Sequence, residues 1–410
     1  MPRVKEGKGS AKGTPPPVVQ SLQKFLKTYE KHCACSQTAV CPAVRRDLKS
    51  SIANEQSLRR FCLMIIFPSH KLGGVVGDVR LSFFYAQFTL IRPDDSPPSR
   101  TPVSLEPLLS AIREARYTAG KELCVWGLRL SNPEIARLSC LLELTGRTPC
   151  PFTTLEIIDC QMDQWSLGRL GKALQFSGLH FLVLDYCRFG NEEIERIFSG
   201  LENNRKLQGL SLRYCGLGPG SGPRLGFITS QSAICELYLD GNDLQCSGAL
   251  ALLRPLVEYL EMQEKDPPAT AAPNTGNPPR LLHKIKNKKR LAEAGPWLVK
   301  LHLADNGIDG KGGEGGLWEF TRMLTCLIAH SAHVREIDLG NNALGETAAA
   351  AVLGALRARK TGRLPVLKIT VTPQISSDTF RSIWKNSKKS STTYKKKKKA
   401  RSRVSVLAKN

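Results

Sequence analysis

The sequence of 410 residues lacks an uninterrupted apolar run approaching the roughly 18–20 residues that a membrane-spanning helix needs. Its basic N-terminus, MPRVKEGKGSAKG, is not followed by the apolar segment of a secretory signal. The 13 cysteines are odd in number and follow no such signal, which favours reduced thiols inside a cell over a disulfide scaffold. We therefore expect neither a membrane protein nor a secreted one.

Motifs of catalysis and metal binding are also scarce. The sequence has no G-x-x-x-x-G-K-[ST], no G-x-S-x-G and no H-E-x-x-H. His302 has no predicted nucleophile beside it, and we interpret it as a surface histidine. The cluster of His32, Cys33, Cys35 and Cys41 has a C-x-C-x5-C spacing that is not a usual zinc pattern, so we favour buried cysteines of a terminal cap. The prediction is a protein without enzymatic activity, cofactor, metal or small-molecule substrate.

Acidic residues are missing from the most basic parts of the chain. Lys and Arg number 59 against 36 Asp and Glu, a net charge of +23. Eleven basic residues and no acid lie from residue 385 onward, residues 280–290 carry six more, and residues 1–12 carry a net charge of three. Only three of the 23 net charges remain for the rest of the chain, so we expect a nearly neutral folded body.

A leucine-rich pattern recurs through the middle of the sequence. The template L-x-x-L-x-L-x-x-N/C-x-L fits FTTLEIIDCQM from Phe152, LHFLVLDYCRF from Leu179, LQGLSLRYCGL from Leu207, ICELYLDGNDL from Ile234, LVKLHLADNGI from Leu298 and VREIDLGNNAL from Val334. A weaker copy ends at Leu130, and a truncated one, LPVLKITV, starts at Leu364. The central apolar residues are Leu123, Leu155, Leu182, Leu210, Leu237, Leu301, Ile337 and Leu367. One gap of 64 residues between them holds a repeat and an insertion.

Each copy predicts a short strand, a turn and a helix. Alternating apolar residues such as Leu182 and Leu184 share one face of a strand. An Asn or Cys side chain in the next constrained position can hydrogen-bond the turn that leaves the strand, and these side chains form a predicted ladder: Cys160, Cys187, Cys215, Asn242, Asn306 and Asn342. We expect each cysteine to face its own turn. Helical periodicity follows at Glu192–Leu201, Gly248–Tyr259, Leu317–Ala332 and Glu346–Ala358. The Pro- and Gly-rich segment after Leu217 predicts a shortened or irregular helix.

Repeats of 27–30 residues with a helix after each strand resemble the ribonuclease-inhibitor-like class of leucine-rich repeats, over roughly residues 120–371. GNEEIERIFSGL, CSGALALLRPL and LGETAAAAVLGAL are similar to the helices of that class. The resemblance implies an α/β leucine-rich-repeat solenoid, with parallel strands on the concave face and helices on the convex face. Ran-type GTPase activators also use this class with an acidic tail, whereas the tail here is basic, which makes a GTPase-activating regulator a minor alternative.

We divide the chain into seven segments. These are a disordered basic N-terminus (1–17), a helical cap (18–60), degenerate first repeats (61–119), leucine-rich repeats (120–264), a disordered basic insertion (265–290), further repeats with a C-terminal cap (291–384) and a disordered polybasic tail (385–410). Cap helices are expected at Val18–Lys31 and Pro42–Ile52. In the degenerate repeats, LMIIF and VRLSFFYAQFTLI are interpreted as strands and LEPLLSAIREARY as a helix.

The cap and the insertion carry further resemblances. The stretch FLKTYEKHCACSQTAVCPAVRRDLKSSI is similar to the helical start of centrosomal and basal-body leucine-rich-repeat proteins. The insertion is similar to those of axonemal leucine-rich-repeat proteins. These likenesses imply a cytoplasmic, cytoskeletal protein at the centrosome, basal body or cilium.

The predicted concave face is more acidic than the whole chain. Among eighteen positions that flank the buried strand residues of six repeats, the acids are Glu156, Asp185, Glu236, Asp240, Glu336 and Asp338, and the bases are Arg213 and Lys300. Aromatic side chains on the same face favour protein contacts. The candidate protein-binding residues are Phe181, Asp185, Arg213, Glu236, Tyr238, Asp240, Lys300, His302 and Asp338. We expect a protein partner with a basic or mixed surface, and a solvated face without a partner is the alternative.

The polybasic tail is a second candidate contact. Its densest part comprises Lys395, Lys396, Lys397, Lys398, Lys399, Arg401 and Arg403. This composition fits a nuclear localisation signal, a nucleic-acid-binding arm, a contact with anionic lipid, or a contact with acidic tubulin tails. The function that the sequence favours is a non-catalytic protein–protein interaction scaffold, and the alternative is a nuclear adaptor that contacts nucleic acid through the tail.

Overall fold

The computed structural model describes residues 17–58, 87–91, 102–117, 120–146, 149–202, 204–265, 298–311, 314–372 and 375–387. Nine strands form one parallel sheet in sequence order: β1 (Gln87–Ile91), β2 (Glu122–Trp126), β3 (Thr154–Ile158), β4 (Phe181–Val183), β5 (Gly209–Ser211), β6 (Glu236–Tyr238), β7 (Lys300–His302), β8 (Glu336–Leu339) and β9 (Lys368–Val371). The predicted leucine-rich-repeat solenoid is confirmed. The polybasic tail residues lie outside the described part of the chain, as do LMIIF and most of the predicted N-terminus and insertion.

Helices connect the strands and cover the opposite face of the sheet. They are α1 (Pro17–Cys35), α2 (Pro42–Leu58), α3 (Glu106–Glu114), α4 (Asn132–Leu142), α5 (Gln164–Leu174), α6 (Asn191–Leu201), α7 (Gly222–Gln231), α8 (Gln245–Lys265), α9 (Glu314–His330), α10 (Gly345–Thr361) and α11 (Ser377–Ser387). None of the described helices is both long and apolar enough to cross a membrane.

The central apolar residues stack from strand to strand as predicted, with one exception. Leu123, Leu155 and their counterparts through Ile337 lie opposite one another and are fully buried. In β9, however, Ile369 lies opposite Ile337, so the prediction of Leu367 as the central residue is wrong by two positions. A shift of two residues keeps the same side chains on the buried face of a strand, which is why the pattern did not reveal it.

Glycine pairs bring neighbouring helices close together. A Cβ on Gly200 of α6 would lie 2.0 Å from the carbonyl oxygen of Gly171 in α5, and a Cβ on Gly222 of α7 would lie 2.1 Å from that of Gly248 in α8. The expected irregularity after Leu217 is a single 3₁₀ turn, Pro219–Ser221, and a helix of 10 residues follows it. The glycines of this segment therefore serve close helix packing instead of interrupting the helix.

Both ends of the array are covered by helices. His32 of α1 contacts Glu114 of α3 at 2.7 Å, and the hydroxyl of buried Tyr29 accepts a hydrogen bond from the backbone N–H of Cys41. Cys33 and Cys41 are buried as predicted, but Cys35 is exposed. At the other end, the Glu346 carboxylate accepts hydrogen bonds from Ser376, just before α11, and α11 buries Ile383.

The predicted ladder of Asn and Cys side chains is present where the chain leaves each strand. Asn242 shows its full form: the Oδ1 atom accepts the backbone N–H groups of Cys215 and Leu217, each at 3.0 Å, and the Nδ2 atom donates to the carbonyls of Leu212 and Leu239. The cysteine thiols donate to the preceding repeat, and their sulfur atoms are only weak acceptors of backbone N–H groups. Cys187, for example, donates to the carbonyl of Ile157. The expectation that each cysteine faces its own turn is therefore incomplete, because the thiols also connect neighbouring repeats.

Candidate protein-binding face

The strand residues next to the buried central leucines point to the concave face. In the middle of the sheet these positions bring charged and aromatic side chains together, because parallel in-register strands place equivalent residues about 5 Å apart. Tyr238 lies opposite Ser211 on one side and His302 on the other. Of the nine predicted binding residues, eight are joined by side-chain contacts in this region. Asp338 lies opposite His302 in the sheet, but its carboxylate accepts the N–H of Gly340 in its own turn.

Tyr238 lies at the centre of the aromatic contacts. Its ring centroid is 4.7 Å from that of His302 in an edge-on arrangement and 6.3 Å from that of Phe181. The guanidinium carbon of Arg213 lies 4.6 Å from the Tyr238 centroid, within the range of a cation–π contact. Three neighbouring strands thus fix the orientation of this ring.

Glu236, Tyr238 and Lys300 form a hydrogen-bonded triangle. The Tyr238 hydroxyl donates to Glu236 at 2.7 Å, and the Lys300 Nζ atom lies 3.0 Å from Glu236 and donates to Tyr238 at 3.3 Å. Burial and the acceptor Glu236 raise the pKa of Tyr238 to about 12. Burial alone would lower the pKa of Lys300, but its contacts with Glu236 and Tyr238 outweigh burial and raise it. Tyr238 and Lys300 therefore keep one charge state near neutral pH.

Arg213 connects two carboxylates of the face. Its Nε atom donates to Asp240 at 2.8 Å, and its NH1 atom lies 3.8 Å from Asp185. Burial raises the pKa of Asp185, although that carboxylate accepts hydrogen bonds from Ser211 and from the Arg213 backbone. For Asp240, burial also favours a higher pKa, but hydrogen bonds from His302 and Arg213 outweigh it and lower the pKa. Asp240 additionally accepts the N–H of Ala304, which holds the carboxylate in place.

His302 is less exposed than expected for a surface histidine. Its side chain is 15% exposed, with Nδ1 3.6 Å from Asp240 and Nε2 3.6 Å from Glu336. Nε2 is buried and has no hydrogen-bond partner. His302 lies on the concave face as expected, but its side chain is only partly exposed because the ring packs edge-on against Tyr238. Among the described residues, no group of three or more His, Cys, Asp or Glu could hold a metal ion.

Sequence reasoning missed two parts of this surface. Lys368 of β9 contacts Glu336, and this base was missed because only the six full repeats, and not the truncated last one, were used to define the predicted concave face. Trp126, Tyr186 and Tyr214 are exposed beside the concave face, and aligning the residue that follows each strand would have revealed the two tyrosines. Glu156 of β3 was recognised as acidic; burial raises its pKa, and it lies beside Glu122 and Asp185 instead of a base.

Comparison with known proteins supports the assignment of the fold. A family model for leucine-rich repeats matches residues 296–315, which include β7 and the start of the turn that follows it. No curated protein matches the chain. Non-catalytic binding through the exposed strand face is the general use of such arrays. Nine in-register parallel strands, the ladder of Asn and Cys side chains and this match show the fold of a leucine-rich-repeat solenoid.

Proposed function

We propose that this chain is a non-catalytic protein–protein interaction scaffold and that a protein partner binds its concave face. The observation that carries this proposal is the connected network around Tyr238, in which Arg213, Glu236, Asp240 and Lys300 are held in place on the open side of the sheet. Such a prearranged surface loses little side-chain freedom when a partner binds.

The charge of the face indicates the character of the partner. Asp185, Asp240 and Glu236 are already paired with bases of the face, whereas Glu156 has acidic neighbours. A partner therefore meets a rigid, mixed surface in the middle and an acidic one towards β2. Tyr and Arg are frequent energetic centres of interfaces, and Tyr238 beside Arg213 fits that role. This arrangement supports a partner with a basic or mixed surface.

Proximity labelling in intact cells tests the proposal directly. We compare the wild-type chain with the double variant Tyr238→Ala Asp240→Asn, which removes the central ring and one carboxylate charge. The matched control is Trp318→Ala, because Trp318 is 67% exposed on helix α9 and far from the strands. We expect the double variant to lose a set of labelled proteins that the control retains. Identical labelling by all three chains, with the double variant still folded by circular dichroism, contradicts the proposal.

A location at the centrosome, basal body or cilium is a further part of the proposal, and the N-terminal sequence likeness supports it. The test compares the full chain with a version that ends after Ser387, the last residue of α11. A punctate centriolar signal in both versions supports the proposed location. A nuclear signal that disappears on truncation instead supports the nuclear adaptor with a nucleic-acid-binding tail.

A further inference from the structure

A row of residues with left-handed backbone conformation follows the strands, and we call it the rim. Six of its members donate their backbone N–H to a carbonyl of the next repeat at 2.8–2.9 Å: Gly127, Asp159, Tyr186, Tyr214, Gly241 and Asp305. Asn341 has the same conformation in the β8 repeat. These hydrogen bonds place the side chains of neighbouring rim residues next to one another along the edge of the concave face.

Two rim residues oppose the backbone preference of their position. Left-handed conformation favours Gly, Asn and Asp, and it is unfavourable for a bulky side chain. Tyr186 and Tyr214 adopt it with φ values of 59° and 53°, and their side chains are 51% and 42% exposed. They gain little from burial in return. Strained positions of this kind cluster at functional sites, which makes the two tyrosines candidates for a binding role.

The two rings form an exposed stack with a defined end. Their centroids are 4.8 Å apart and their planes differ by 6°. The Tyr214 ring lies over Gly241, where a Cβ would come within 2.1 Å of the ring. The outward face of Tyr186 is consequently the free end of the stack. Trp126, which is 50% exposed at the end of β2, lies two strands away on the same edge.

Acidic residues flank the stack on both sides along the rim. Asp159 precedes Tyr186 by one repeat, and Asp305 follows Gly241 by one repeat. The concave face contains an example of what a tyrosine ring and a carboxylate bind together. There the Arg213 guanidinium lies over the Tyr238 ring while its Nε atom donates to Asp240. The same pair of groups, a tyrosine face and a carboxylate, is available at Tyr186 and Asp159.

We propose that Trp126, Tyr186 and Tyr214 form a docking site for an arginine-bearing segment of a protein partner. The guanidinium stacks on the outward face of Tyr186 beside Asp159, and apolar side chains of the segment contact Trp126. Arginine suits this site better than lysine because its planar group stacks on an aromatic ring while it donates to a carboxylate. This inference rests on the proposed function, that of a protein-binding scaffold.

The test uses the full chain and a displayed library of random peptides of roughly twelve residues, which reach about 40 Å when extended. Peptides are selected on the wild-type chain, and those that also bind the variant Tyr186→Asn Tyr214→Asn are removed. Asn is the matched replacement because Asn341 occupies the equivalent position with a φ of 55°. We expect this variant to melt no lower than the wild type, so lost binding will not reflect unfolding.

We expect the remaining peptides to be enriched in arginine next to apolar residues. Replacing that arginine by citrulline, its uncharged analogue, should weaken binding about tenfold in fluorescence anisotropy, as should the double Asn substitution. No rim-dependent peptides, or rim-dependent peptides enriched in lysine, acids or apolar residues alone, would overturn the inference. If every peptide selected on the wild-type chain also binds the rim variant and loses binding on Tyr238→Ala Asp240→Asn, the inference is overturned while the proposed function stays intact.

Discussion

The two halves of the array connect their repeats with different side chains. In the β3–β5 repeats the ladder consists of the thiols of Cys160, Cys187 and Cys215, and in the β6–β8 repeats of the amides of Asn242, Asn306 and Asn342. A thiol is a weak donor, whereas an amide accepts and donates at the same time. The asparagine half is therefore held by more hydrogen bonds per repeat, and the cysteine half depends more on apolar packing.

The difference is clearest where the two kinds of repeat meet. Cys215 donates its thiol to the carbonyl of Leu184 at 3.0 Å, towards the preceding repeat. Its own backbone N–H is accepted by Asn242 of the following repeat. Each asparagine thus supplies a stronger acceptor than the sulfur of a ladder cysteine, which accepts a backbone N–H only weakly. We expect the halves to differ in stability and in their response to pH, and three experiments test this.

The largest expected effect is a loss of stability of the cysteine half in alkaline solution. Burial raises the pKa of Cys160 to about 11 and that of Cys187 to about 12, and it raises the pKa of Cys215 as well. An unfolded chain ionises its thiols near pH 8.5. Above that pH the unfolded state therefore releases protons that the folded state retains, so the free energy of unfolding falls until the folded thiols ionise.

Three thiols together predict a loss of about 6 kcal/mol between roughly pH 8 and pH 10, at about 1.4 kcal/mol per pH unit above about pH 8.5 for each group. Hydrogen exchange at both pH values should show faster opening of β3–β5 than of β7–β9. The control carries Cys160, Cys187 and Cys215 replaced by Ser, and its stability should change less over this range. Equal loss of protection in both halves of the wild-type chain would remove this distinction.

The next largest effect is expected from removing one amide of the ladder. Asn242→Ala leaves the backbone N–H groups of Cys215 and Leu217 without their acceptor in a buried loop. We expect the free energy of unfolding to fall by about 3 kcal/mol, since an unsatisfied buried polar group costs about 1–3 kcal/mol. Urea unfolding measures this change.

Cys187→Ala is the matched substitution in the other half. The Cys187 side chain is buried and donates to the Ile157 carbonyl at 3.4 Å, and its sulfur is only a weak acceptor of the Cys160 backbone N–H. We expect a loss of about 1 kcal/mol, from a small cavity and one weak hydrogen bond. If the alanine at position 187 costs as much as the one at position 242, the ladder is equivalent in both halves.

The sequence alone predicted the repeats, their ladder residues and most of the concave face, because these depend on spacings within one repeat. Leu182 and Leu184, or Glu236 and Tyr238, are assigned to their faces by alternation alone. The register of β9 was missed because alternation does not distinguish a shift of two residues. The low exposure of His302 was missed as well, since its ring packs against Tyr238, which lies 64 residues earlier in the chain.

The smallest expected effect lies at the end of the asparagine half, where the Thr372 hydroxyl takes the role of a ladder side chain for Asn342. Its hydroxyl donates to the Asn342 carbonyl at 2.7 Å and accepts the Asn342 N–H at 3.0 Å, so it continues the ladder with both a donor and an acceptor. Thr372→Val keeps the shape and removes both bonds. We expect a loss of about 1–2 kcal/mol and faster hydrogen exchange at Asn342. Thr370→Val is the control, because Thr370 is exposed on β9, and it should change the free energy of unfolding by less than about 0.5 kcal/mol. Because Thr372 is only half-buried, water can replace part of the lost hydrogen bonding, so we expect a smaller loss of stability than for Asn242→Ala. An equal or larger loss would mean that the end of the array, and not its middle, limits the stability of the asparagine half.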